Sequence, residues 1–136
     1  MNGVPEYGLI GDSSLYLKKR NRKKATIHGD LRESLDADLE VDFFPGMGIS
    51  RLLRKVEECP GYEVLGISYF GNEHTERPLQ EAKFWPLWQR LFEEMRHKCR
   101  RAVFFMGGYS SKYGLSRVYD ENMRKIRGWI SGAGFK

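Results

Sequence analysis

In the stretch YGLIGDSSLYL, residues 7–17, a strand-like apolar run stops at Gly11 and gives way to Asp12, Ser13 and Ser14. Two local readings fit. The serines can cap a helix that starts there, because a hydroxyl accepts from the free N–H groups of the first turn. Alternatively, a serine at a strand-to-helix turn is a nucleophile presented to solvent, with its own N–H aimed into a site. The stretch alone favours the cap, and the choice depends on what the other strand ends carry.

Three further runs have the same character: DLEVDFF (38–44), YEVLGISYF (62–70) and RAVFFMG (101–107). Runs this apolar suit strands buried on both faces, as in a parallel sheet. Helical patterns alternate with them. One is expected from Ser13–Ser14 to about residue 22, and a short one over 30–36. In ISRLLRKVEEC (49–59), Ile49, Leu52, Leu53 and Val56 share a face, and Pro60-Gly61 stops the pattern. In 78–99 the stripe is Trp88, Leu91, Phe92 and Met95, with Pro86 as a kink or restart. In 118–130 Met123, Ile126 and Ile130 lie together. The β-α-β-α order predicts one α/β domain over 1–136, a parallel sheet of about four strands with helices on both faces.

Composition narrows the function classes. At 136 residues with 40% apolar and 13% aromatic residues, a single folded domain is expected. No apolar run approaches the ~20 residues that span a bilayer, so no membrane span is expected. The start MNGVPEYG lacks the basic and apolar regions of a secretory signal. Cys59 and Cys99 make neither a disulfide framework nor a zinc motif and read as reduced thiols, which suits a cytoplasmic or nuclear protein. The net charge of +5 gathers partly in KKRNRKK (Lys18, Lys19, Arg20, Arg22, Lys23, Lys24) and partly in RHKCRR (96–101). Such runs neutralise phosphates, form solvated faces or act as localisation signals. Neither holds interleaved aromatics for base stacking.

Ligands of open parallel sheets bind beyond the carboxyl ends of the strands. Those ends read GDSS, PGMG, GNEH and GGYSS. The Pro-Gly turn offers a free N–H at Gly46, and the side-chain amide of Asn72 is a second donor; both suit a developing oxyanion. Each is also an ordinary turn residue when taken alone. Tyr109, Ser110, Ser111 and Tyr113 either line a groove or form a polar loop. GGYSS matches neither a dinucleotide fingerprint nor a phosphate loop, and no cofactor is expected.

Taken in order, IGDSS, PGMG and GNEH resemble the three leading blocks of the SGNH (GDSL-type) hydrolases, over roughly residues 5–130. PGMGISRLL also resembles the Pro-Gly form of the second block found in esterase-like domains of some LINE-type retrotransposon proteins. The resemblance implies a flavodoxin-like, three-layer α/β/α fold and hydrolysis of acyl or acetyl esters. It places Ser13 as nucleophile, Gly46 (with Gly48 as an offset alternative) as the second-block glycine, and Asn72 as the oxyanion asparagine. One block is missing. The family ends in Asp-x-x-His, which supplies the general base after a fifth strand, and this sequence contains no Asp-x-x-His. Glu73 also stands where the third block usually has Asp.

Of the three histidines, His74 lies nearest the expected site; it is either a substitute base oriented by Glu73 or Glu76, or a polar loop residue. His28 and His97 read as surface residues. The missing base leaves three explanations: a chain whose catalytic end lies elsewhere, a domain that lost its chemistry, or substitution by His74. The leading expectation is a serine ester hydrolase-like domain acting on a small ester. The alternative is a non-catalytic nucleic-acid-binding module using Lys18 to Lys24, or an assembly module whose sheet is completed by a second copy or a partner chain.

Overall fold

The computed structural model describes residues 7–11, 16–17, 25–26, 39–43, 48–69, 71–106 and 117–135. Strand β1 is Tyr7–Gly11, β2 Tyr16–Leu17, β3 Ala25–Thr26 and β4 Leu39–Phe43. Helix α1 (Ile49–Glu58) follows, then β5 (Tyr62–Tyr69), a 3-10 turn (Asn72–His74), α2 (Glu81–Lys98), β6 (Cys99–Met106) and α3 (Arg117–Gly132). The architecture is mixed α/β. The main sheet runs in the order β4-β1-β5-β6, and each neighbouring pair is parallel.

The apolar runs that predict strands therefore fold as strands, and the helices expected over 49–59, 78–99 and 118–130 are α1, α2 and α3. The helix expected from Ser13 is corrected. Tyr16 and Leu17 pair antiparallel with Thr26 and Ala25 instead. Within the expected helix Lys18 and Arg22 would lie four residues apart, and like charges at that spacing are destabilising. The basic run and the helix expected over 30–36 lie outside the described residues, as do Ser110, Ser111 and both neighbouring tyrosines.

The predicted stripes are buried, and on α3 Tyr119 joins the expected Met123, Ile126 and Ile130. Ile49, Leu52, Leu53 and Val56 of α1, Trp88, Leu91, Phe92 and Met95 of α2, and Tyr119, Met123, Ile126 and Ile130 of α3 join a single core with Ile10, Leu65, Ile67 and Tyr69 of the sheet. Each such side chain contributes about 1.5–3 kcal/mol when fully buried. Aromatic edges organise its centre: Trp88 meets Tyr69 at 5.3 Å between centroids, Phe92 at 5.8 Å and Phe104 at 6.3 Å. Pro86 sits inside α2, five residues after its start, so the helix continues through it.

Successive strand side chains alternate between faces. Leu9 and Ser68, which neighbour Ile10 and Ile67, lie on the opposite face from this core and are each only 1% exposed. The central strands are thus buried on both faces. At β6 the opposite face is open: Arg101 is exposed, and Val103 is the exposed large apolar residue among those described. No helix among the described residues is long and apolar enough to cross a membrane.

Candidate functional site

Strand β1 lies between β4 and β5, and Gly11 is in register with Phe43 on one side and Ser68 on the other. Because all three strands are parallel, their carboxyl ends emerge side by side, with neighbours about 4.8 Å apart. Ser13 and Gly46 lie outside the described residues, and of Asn72 the backbone alone is described, in the 3-10 turn.

The β5 exit is described in detail. Gly71 takes a left-handed conformation, φ 84° and ψ 41°, which turns the chain out of the sheet. A Cβ there would lie 2.6 Å from Met123 Sδ, so glycine is required by backbone and packing alike. The His74 N–H donates to the Gly71 carbonyl at 2.9 Å and closes the turn.

Glu73 reaches from this turn to the start of α1. Its Oε1 accepts from the Ile49 N–H at 2.7 Å and from the Tyr69 hydroxyl. Helix α1 has no side-chain cap of its own and no acidic residue in its first turn. The Glu73 carboxylate supplies both functions, satisfying a free N–H and countering the positive helix end. Gly48 makes room for it: a Cβ at 48 would lie 3.0 Å from Glu73 Oε2.

His74 is 1% exposed, so the expectation of a polar loop residue is corrected. Its ring packs edge-on against Phe84 at 4.7 Å and lies 6.5 Å from Tyr69. Nε2 is 3.8 Å from Glu73 Oε1 and has no hydrogen-bond partner among the described residues. Burial pulls the imidazole below its ordinary pKa, with the Glu73 charge opposing in part, so the ring is held neutral. Glu76 is exposed, and so is His97.

Asn122 is the site-organising residue that the sequence reading passes over. It is 2% exposed on α3. Its Oδ1 accepts from Leu79 N–H at 2.8 Å, and its Nδ2 donates to the carbonyls of His74 at 3.1 Å and Arg77 at 2.7 Å. The available signal was a polar residue four positions before Ile126, on the apolar face.

Other chemistry is sparse. Among the described residues no group of three His, Cys, Asp or Glu side chains could hold a metal ion. Cys59 and Cys99 are free thiols that donate to the Val56 and Met95 carbonyls at 3.2 and 3.1 Å. Burial raises the Cys99 thiol pKa, which disfavours a nucleophilic thiolate. A cleft of about 360 Å³ beside β6 is lined by Phe104, Met106, Arg127, Ile130, Ser131 and Phe135. No family model, curated protein or solved structure matches the chain.

Proposed function

We propose that this chain is a serine ester hydrolase-like domain of the SGNH type, with a three-layer, flavodoxin-like α/β/α arrangement, acting on small acyl or acetyl esters. Ser13 Oγ attacks the ester carbonyl. The N–H groups of Ser13 and Gly46 and the side-chain amide of Asn72 receive the oxyanion. The alcohol leaves, and water then releases the acid from the acyl-serine.

The observation that carries this reading is the placement of β1 between β4 and β5, parallel to both and in register at its end. Three separate segments then begin from adjacent strand ends on one edge. Ser13 is two residues past Gly11, which limits its reach to about 7 Å from that strand end. Asn72 is three residues past Tyr69. Burial of the central strands on both faces supports the layered arrangement.

His74, the histidine next to the Asn72 turn, is enclosed. A serine supported by oxyanion donors alone retains about 10³–10⁴-fold acceleration over water. The reading is tested by labelling the purified chain with a fluorophosphonate and comparing it with Ser13→Ala. Labelling that is lost in the variant is expected. Equal labelling of both, or none of the wild type, would remove Ser13 as nucleophile.

A further inference from the structure

We infer that the cleft between β6 and α3 binds a small amphipathic carboxylate, an aliphatic chain of medium length with one carboxylate head. The inference stands apart from the ester hydrolase reading and uses only β6, α3 and the turn that follows α3. The cleft holds about 360 Å³, within the range of small-molecule sites. Its lining divides by chemistry. Phe104 and Met106 of β6, Ile130 of α3 and Phe135 beyond it are apolar, whereas Arg127 and Ser131 bring a guanidinium and a hydroxyl. Arg127 and Ser131 stand four residues apart on α3, so they are neighbours on one side of the helix, with Ile130 beside them. A guanidinium forks onto both oxygens of a carboxylate, and a hydroxyl donates to the same group. Arg127 has other contacts as well, and five N–H donors leave it able to serve a ligand beside them. Both polar residues are exposed and Ile130 is buried, so a bound head stays in water while its chain leaves it.

The far wall of the cleft is fixed before any ligand arrives. Helix α3 ends at a left-handed glycine, Gly134, with φ 90°. The Gly134 N–H donates to the Ser131 carbonyl at 3.0 Å and the Phe135 N–H to the Ile130 carbonyl at 3.1 Å, which folds the chain back onto the helix. The Phe135 ring then packs on Phe92 at 5.4 Å and on Phe104 at 5.9 Å between centroids, and the Arg96 guanidinium lies 5.3 Å from its centre. Arg96 Nη2 also donates to the Ala133 carbonyl at 2.9 Å. These bonds occupy carbonyls whose partial negative charge at a helix end opposes a nearby anion. Phe104, Met106 and Phe135 pack against the core yet remain half-buried, and the surface they leave open is apolar area for an aliphatic chain to cover. A slot whose walls are already ordered binds without paying to order them.

The test is a methyl NMR titration of the whole chain with octanoate, hexanoate and octanol, read at Ile130 and Met106. Octanoate is expected to shift both methyls and saturate with a Kd of about 1 mM or below. Hexanoate, two methylenes shorter, should bind roughly tenfold more weakly. Octanol, which lacks the charge, should bind roughly fivefold more weakly. Arg127→Gln should bring octanoate down to the level of octanol and leave octanol unchanged. Ser131→Phe fills the cleft from an exposed position and should abolish binding of both. The replaced side chains are exposed, and the methyl spectrum reports that each variant is folded. Absence of a saturable shift at Ile130 and Met106 in the wild type overturns the site, as does octanoate binding that survives Ser131→Phe. Equal affinity for octanoate and octanol, or an unchanged octanoate affinity in Arg127→Gln, overturns recognition of the carboxylate. Equal affinity for hexanoate and octanoate overturns the apolar slot. If one variant does not fold, the other variant and the three ligands on the wild type decide by the same outcomes.

Discussion

Replacing Asn122 by alanine strips three hydrogen bonds from the loop that carries the candidate site. The amide of Leu79 and the carbonyls of His74 and Arg77 each lose their partner. Their surroundings differ. His74 is 1% and Leu79 7% exposed, whereas Arg77 is exposed and its carbonyl can take water instead. A buried polar group left unpaired costs about 1–3 kcal/mol, and a hydrogen bond exchanged for water about 1 kcal/mol or less. Two sealed groups and one rewetted group give about 2–7 kcal/mol, a large part of the 5–15 kcal/mol that holds a typical domain together. Asn122→Leu restores apolar volume without restoring any bond and is expected to cost nearly as much. Asn122→Asp at neutral pH sets a carboxylate against two carbonyls and is expected to cost at least as much as alanine. Urea unfolding of the variants, followed by tryptophan fluorescence, gives the midpoints and slopes. A cost below about 1 kcal/mol for Asn122→Ala, with an unchanged slope, would refute the claim that these bonds are sealed.

His74, Gly71 and Trp88 yield further outcomes. The folded pKa of His74 lies below its unfolded value of about 6.5, so the unfolded chain takes up the proton first as pH falls. Its contribution is therefore complete above that value and is lost as pH drops towards the folded pKa. Wild type is expected to lose stability between pH 7.5 and pH 5 more steeply than His74→Phe, as read from urea midpoints; equal slopes would contradict this. Gly71→Ala meets both a positive φ and Met123 Sδ at 2.6 Å, and a loss of about 2 kcal/mol in thermal or chemical unfolding is expected; the same substitution made in a Met123→Ala background should cost less, as a double-mutant cycle reads. Trp88 is fully buried, and its Nε1 has no hydrogen-bond partner among the described residues. Trp88→Ala is expected to cost about 3–5 kcal/mol, while Trp88→Phe, which also removes an unpaired donor, should cost clearly less; similar losses for both would count against that account.

The strands and helices were legible because their signals are local. Ile49, Leu52, Leu53 and Val56 repeat at helical spacing, and Pro60-Gly61 ends the pattern within two residues of the observed helix end. Cys99–Met106 extends the predicted RAVFFMG strand backwards by two residues, to where α2 ends. The failure at Tyr16 has an equally local cause. A serine cap favours a helix there, and the like-charge spacing that follows it weighs against one. What no local pattern could show is the use of Glu73, Asn122 and His74. Glu73 acts on a backbone N–H 24 residues away, and Asn122 on a carbonyl 48 residues away. These two partners are main-chain atoms, which have no residue identity to read in a sequence.

The geometry around His74 also separates the roles open to a histidine beside a strand end. A general base must become imidazolium in the transition state, and it must reach the proton it takes. His74 is enclosed by Phe84 and Tyr69, and burial disfavours its charged form. The nearest anion, Glu73, is already accepting from Ile49 N–H and the Tyr69 hydroxyl, and at 3.8 Å from Nε2 it makes no hydrogen bond to the ring. The catalytic histidine of a serine hydrolase has the opposite arrangement, with an orienting carboxylate on one nitrogen and the nucleophile on the other. His74 therefore packs as a wall of the turn, and its carbonyl is held by Asn122. Glu73 is the member of the pair that faces outward, with 28% of its side chain exposed against 2% for His74.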